Sequence, residues 1–143
     1  MIVWHYTTRQ CAMLIFESTV LKPADAYLTK GEKPILWFSK NQYWEKTANK
    51  AWVQGTQSRL LTMEEMREKG GGLFRFGIEQ EKTINWPRLG AMAQMPSKIR
   101  KALEAQGIRQ GAHFLDWCGL LEPVSIFECV GMVMNDNLEW APL

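Results

Sequence analysis

The chain opens on a short apolar run, Ile2-Val3-Trp4, that hands over at His5 to the hydroxyl-bearing stretch Tyr6-Thr7-Thr8. This pattern predicts a strand over 2–5, with Thr7 or Thr8 as an N-cap hydroxyl for a following helix. Cys11, Leu14, Ile15 and Ser18 then recur at helical spacing, and Arg9, Gln10 and Glu17 fall on the wet side. Pro23 disfavours helix at the residue before it, so this helix ends ahead of Val20-Leu21-Lys22-Pro23. Residues 24–34 read as a loop. Ile35-Leu36-Trp37-Phe38-Ser39 is a compact apolar run behind Pro34, which predicts a buried strand. A loop from Lys40 leads into a short helix expected around 46–51.

The middle of the chain is punctuated by local signals. Thr62-Met63-Glu64-Glu65 has the spacing of a capping box, so a short helix through Lys69 follows, stopped by Gly70-Gly71-Gly72. Leu73-Phe74-Arg75-Phe76-Gly77-Ile78 alternates in part and predicts a strand. Asn85-Trp86-Pro87 starts a loop. Ile99, Ala102 and Leu103 mark one face of a helix over 96–106, closed by Gly107. Residues 111–119 read as a loop or a single turn. A strand over 124–130, a turn at Asn135-Asp136-Asn137 and a last strand over 138–140 complete the chain. Strands and helices mix without regular alternation. That predicts one α+β domain over 1–143, with a small split or strongly bent sheet and flanking helices, rather than a doubly wound fold.

Composition narrows the chemistry. The chain has 143 residues, 46% of them hydrophobic, which suits one domain with one core. A net charge of +2 is too small to argue for nucleic acid by itself. Cys11, Cys118 and Cys129 are few and far apart, without CxxC spacing. They are read as small buried hydrophobes of a protein in a reducing compartment. Two histidines 108 positions apart and no clustered carboxylates leave no metal motif. No basic leader and no run near the roughly 18 apolar residues of a membrane span is seen, so a cytoplasmic protein is expected. Nucleotide-loop and hydrolase motifs such as GxGxxG, the P-loop, HExxH and GxSxG are absent. The seven tryptophans belong mostly to the core, with a minority free to line a pocket for a flat ring.

Three segments combine polar groups with aromatics at strand ends: Trp4-His5-Tyr6-Thr7, Trp37-Phe38-Ser39 with Thr47 downstream, and Leu120-Leu121-Glu122-Pro123-Val124. Glu122, set between two leucines and a Pro-Val that opens a strand, is partly desolvated there; taken alone it reads more readily as a surface glutamate at a strand start. In this order the segments resemble the ADP-ribosyltransferase superfamily. Its first-strand histidine is matched by His5-Tyr6-Thr7, followed by a helix and the Val20-Leu21-Lys22-Pro23 turn. Its aromatic strand and Ser-Ala-Asn-like helix start are matched by Leu36-Trp37-Phe38-Ser39 and Thr47-Ala48-Asn49, and its pre-strand glutamate by Glu122.

The resemblance implies an NAD-dependent mono-ADP-ribosyltransferase that releases nicotinamide and modifies a protein or nucleic-acid acceptor chosen by loops 55–72 and 107–119. Glu122 would stabilise the oxocarbenium-like ribose, with Glu128 as its rival inside the strand. His5 would hold the adenosine ribose; Thr7, Ser39 and Thr47 would offer hydroxyls; and Trp44, Trp37 or Tyr6 would stack on nicotinamide. Three features depart from the pattern. Tyr6 stands where one branch has glycine, Lys50 or Ala51 where that branch has a stacking tyrosine, and Glu122 is not the second glutamate of a Glu-x-Glu, since Leu120 stands two residues before it. A transferase-like binding module without catalysis, or a single-stranded nucleic-acid binder with tryptophan platforms, are the alternatives.

Overall fold

A computed structural model describes residues 1–25 and 28–143. The chain runs β1 (Ile2–Thr8), α1 (Arg9–Ser18), β2 (Val20–Leu21), β3 (Leu36–Ser39), β4 (Ala51–Gln54), β5 (Gln57–Leu60), α2 (Met63–Lys69) and β6 (Leu73–Glu79). It continues through β7 (Ile84–Asn85), α3 (Arg88–Met92), α4 (Ser97–Arg109), β8 (Trp117–Leu120), β9 (Val124–Ser125), β10 (Val130–Met134) and β11 (Trp140–Pro142). The fold is α+β. Seven strands form an antiparallel sheet in the order β11-β10-β6-β1-β3-β8-β7, while β2-β9 and β4-β5 form separate two-stranded ribbons.

Alternation along the strands gives the sheet two buried faces. Val3, Leu36, Phe38, Phe76 and Cys118 pack on one side, covered by Ala12, Ile15 and Phe16 of α1. On the other side Trp86, Leu89, Met95 and Trp117 form a second cluster with Trp37 and with Leu103 of α4. A third cluster joins Met63 and Met66 of α2 to Leu73 and Met134, with Trp44 and Trp140 at its edge. The junction at the centre of the sheet is thin. β1 pairs with β6 along seven residues, but with β3 only at Trp4↔Ser39.

Several expected boundaries move for physical reasons. The first strand runs on through Thr8, because β6 extends the ladder as far as Leu73↔Thr8. Thr8 occupies the N-cap position of α1 but makes no side-chain cap bond. The capping box forms as read: Thr62 Oγ1 accepts from Glu65 N at 3.2 Å, and Glu65 Oε1 accepts from Thr62 N at 3.1 Å. The helix expected at 46–51 shrinks to a 3-10 turn, Lys46–Ala48, and the chain then enters the β4-β5 ribbon. Gly107 does not end α4. It lies within it, because a Cβ there would sit 2.5 Å from Trp117 Cζ2, a separation only glycine permits. The loop expected at 111–119 contains the start of β8, and the strand expected at 124–130 is broken by a 3-10 turn at Ile126–Glu128. That turn is held by Ser125 Oγ accepting from Phe127 N at 3.2 Å. Among the described residues no helix is long and apolar enough to cross a membrane. No group of three or more His, Cys, Asp or Glu there could hold a metal.

Candidate functional site

A cleft of about 460 Å³ opens where β1 and β3 meet at their single pair. Its walls come from β1 (Trp4, His5, Tyr6), β3 (Trp37, Phe38, Ser39), the turn carrying Thr47, the inner face of α4 (Leu103, Gln106, Gly107, Gln110) and Trp117. The base of the β4-β5 ribbon, Ala51 and Leu60, reaches its edge.

His5 bridges the junction. Its Nδ1 lies 2.8 Å from the Trp37 carbonyl, and its ring lies 5.9 Å from Phe38. A carbonyl can only accept, so Nδ1 carries the proton, and the neutral ring keeps Nε2 as an acceptor. Burial pushes the imidazole below its ordinary pKa, against the opposing pull of the Trp37 carbonyl, so the ring is neutral at pH 7. Among the described residues Nε2 has no hydrogen-bond partner.

The same cleft holds a carboxylate the sequence did not single out. Glu45 is buried and caps the Lys46–Ala48 turn. Its Oε1 accepts from Ser39 Oγ at 2.8 Å and Asn41 Nδ2 at 3.0 Å. Its Oε2 accepts from Thr47 Oγ1 at 2.6 Å and Thr47 N at 3.1 Å. All four donors are neutral, and among the described residues no Lys or Arg comes within ion-pair distance. Among the described residues of the cleft wall, Glu45 is the one acidic or basic side chain besides His5. A buried charge without a counter-ion is costly and persists only when hydrogen bonds saturate it.

Tyr6 anchors the far side. Its hydroxyl donates to the Asn41 carbonyl at 2.5 Å, and its ring packs 5.1 Å from Trp44 and 5.7 Å from Trp140. Burial pushes its phenol up to about 12; the nearby Arg75 guanidinium opposes this, and Glu45 adds to it. Arg75 itself is sandwiched 3.7 Å from the Trp4 ring and 4.6 Å from the Trp140 ring, where it braces the loop by donating to the Gln42 carbonyl.

The structure thus gathers His5, Tyr6, Trp37, Ser39 and Thr47 around one cleft. It does not bring Thr7, Trp44 or Glu122 into the wall. Thr7 pairs with Phe74 and shares its face of the sheet. Trp44 acts from behind the wall, donating its indole N–H to Asn49 Oδ1 at 3.0 Å. Glu122 is exposed, in a bend two residues past the Leu36↔Leu120 end of the β3-β8 pair, whereas Ser39↔Trp117 is the opposite end. Glu128 is exposed as well, in the 3-10 turn rather than inside a strand. Sequence reasoning missed Glu45, Trp117, Gln106 and Gln110. For Glu45 the one available signal was a carboxylate two residues before Thr47 at the start of a turn, and glutamate is not among the favoured N-caps. Compared with family models, curated proteins and solved structures, the chain matches none of them.

Proposed function

We propose that the chain is an NAD-dependent ADP-ribosyltransferase with the split sheet of that superfamily, taking NAD as co-substrate in the β1-β3 cleft. The observation that carries this reading is Glu45, a buried carboxylate without a counter-ion in an aromatic cleft. The nicotinamide ring of NAD is a flat aromatic cation. Indole walls and one fixed negative charge suit such a ring, while a cleft lined by Lys or Arg would repel it.

The chemistry follows from the same arrangement. When the glycosidic bond to nicotinamide breaks, its electron pair leaves with nicotinamide and positive charge develops on the ribose. Glu45 stabilises that charge without reorganising, because Ser39, Asn41 and Thr47 already hold it in place. His5 Nε2 accepts a ribose hydroxyl and orients the dinucleotide. The acceptor nucleophile, on a protein or a nucleic acid, then attacks the ribose. Glu122 has no part in this step, since it is exposed and outside the cleft.

One observation favours a second reading, a nucleotide-binding module without turnover. Both oxygens of Glu45 already accept two hydrogen bonds each, which leaves no free lone pair for a ribose hydroxyl. Calorimetric titration with NAD, followed by an assay for released nicotinamide, separates the possibilities. Binding with release supports the transferase. Binding without release in the presence of candidate protein and oligonucleotide acceptors supports the module. Absence of NAD binding rejects both.

A further inference from the structure

We infer that the acceptor served by this cleft is a single-stranded nucleic acid, held by its phosphates on the basic residues of α4 and of the turn and ribbon that frame the cleft. The inference rests on the transferase reading above, whose acceptor it names by class.

The net charge of +2 hides an asymmetry. Residues 40–60 and 97–113 supply the turn, the ribbon and α4, the parts of the cleft wall that lie outside the seven-stranded sheet. Together they hold eight of the seventeen Lys and Arg but only two of the fifteen Asp and Glu. The rest of the chain has nine Lys and Arg against thirteen Asp and Glu, so the frame is +6 and the remainder −4. Both acids of the frame are committed inward. Glu45 is held by Ser39, Asn41 and Thr47, and Glu104 Oε2 accepts from Trp86 Nε1 at 2.7 Å. Every exposed charge of the frame is therefore positive: Lys46, Lys50, Arg59, Lys98, Lys101 and Arg109. Of these Arg59 is neutralised by Glu65. None of them lines the cleft itself, so they do not oppose a ring cation seated inside.

Their placement follows from the elements. Gln106 lines the cleft and is also exposed, which marks the flank of α4 at the cleft mouth. Lys98 and Ala102 precede it at steps of four and Arg109 follows at three, so both cations belong to that flank. Lys46 belongs to the turn that gives Thr47 and Ala48 to the wall. Its Nζ would lie 3.1 Å from a Cβ at Gly111, so its ammonium stands at the C-terminal end of α4, next to Gln110 in the chain. Lys50 lies between the lining residues Asn49 and Ala51. Two residues on, Trp52 is 41% exposed and shares the Lys50 side of the ribbon, with Lys69 Nζ 3.9 Å over its ring.

Separate cations spread along a rim match a chain that carries one phosphate per residue. An exposed indole among lysines adds a platform for an unstacked base. A duplex keeps its base faces stacked, and an acidic peptide brings no ring for Trp52, so a single strand fits best. NAD shares the phosphate chemistry through its diphosphate, and the test distinguishes the two sources.

The probe is a fluorescein-labelled single-stranded DNA of about a dozen nucleotides, followed by anisotropy with the full chain. The same sequence as a duplex and a poly-glutamate peptide of similar charge serve as competitors. Four phosphate contacts predict a salt slope of about −2 to −3, a loss of about 15- to 50-fold from about 50 to about 200 mM salt. The pairs Lys46→Gln with Lys50→Gln, and Lys98→Gln with Arg109→Gln, each weaken the strand and make the slope shallower by about 1.4. Lys30→Gln with Lys33→Gln removes the same charge outside the frame and is expected to change the affinity less than about twofold. NAD affinity, from calorimetry, stays within about twofold in all three pairs. Duplex and poly-glutamate compete at least about tenfold more weakly than the unlabelled strand. The inference is overturned if the strand does not bind, if the pair outside the frame costs as much as the frame pairs, or if duplex or poly-glutamate competes as well as the strand. It is also overturned if the frame pairs weaken NAD and leave the strand unaffected, which would assign these cations to the diphosphate. NAD binding without strand binding leaves the transferase reading standing. Strand binding without NAD binding removes that reading and keeps the nucleic-acid surface.

Discussion

Ser39 Oγ donates to Glu45 Oε1 at 2.8 Å, and both side chains are buried. This bond ties the end of β3 to the turn after it, and the same hydroxyl accepts from Asn41 N at 3.1 Å. Ser39→Ala strands a donor and removes a quarter of the hydrogen bonding of a buried charge. A loss of about 1–3 kcal/mol in stability is expected, read from urea unfolding midpoints. A change below about 0.5 kcal/mol would show that water replaces the hydroxyl, and that the carboxylate is less dry than the structure implies.

The two glutamates separate in activity. Glu45→Gln removes the charge while keeping the shape, and is expected to slow nicotinamide release by about 10²-fold. Glu122→Gln, at an exposed bend, is expected to leave release within about twofold and stability within about 0.5 kcal/mol. Single-turnover release measured on both variants, each checked for folding by its urea midpoint, tests the pair. Loss in Glu122→Gln with normal rates in Glu45→Gln would return the charge-stabilising role to the residue outside the cleft.

His5 makes the fold sensitive to acid. Its folded pKa is lowered by burial, so between the unfolded value of 6.5 and the lower folded value the unfolded chain binds more protons. The stability associated with neutral His5 is fully present above pH 6.5 and falls as the pH drops below it. Urea midpoints at pH 5 and pH 7.5 measure this loss, and His5→Gln is expected to flatten the part of it that lies below pH 6.5. An unchanged slope in His5→Gln would assign the acid sensitivity to the carboxylates instead.

Gly107→Ala tests the approach of α4 to the cleft. Helix propensity alone favours alanine by about 1 kcal/mol. The new Cβ, 2.5 Å from Trp117 Cζ2, would meet a ring that is buried and cannot swing away. Net destabilisation of about 1–3 kcal/mol is expected, with weakened ligand binding because the indole edge is displaced. Thermal unfolding compared with Gln106→Ala, an exposed position on the same helix, provides the measurement. Stabilisation by Gly107→Ala would mean that α4 can shift outward at little cost.

What the sequence determined by itself was local. The Thr62–Glu65 capping box spans four residues, and its chemistry is complete within them. The apolar runs at Val3-Trp4 and Leu36-Trp37-Phe38 are strands because no polar alternative competes there. His5, Tyr6, Trp37, Ser39 and Thr47 were legible as cleft candidates because aromatic and hydroxyl groups crowd the ends of those two strands. Tertiary structure alone decided the rest. The single pair Trp4↔Ser39 joins residues 35 positions apart and opens the cleft beside it. Glu45 looks like a loop glutamate until Ser39, Asn41 and Thr47 converge on it. Glu122 sits beside a strand in sequence, yet the β3-β8 register carries it to the end away from Ser39. Gly107 resembles a helix stop until Trp117 packs against it. Hydrogen bonds between near neighbours follow from residue type and spacing, whereas burial and register depend on which distant surfaces meet, and no local pattern encodes that meeting.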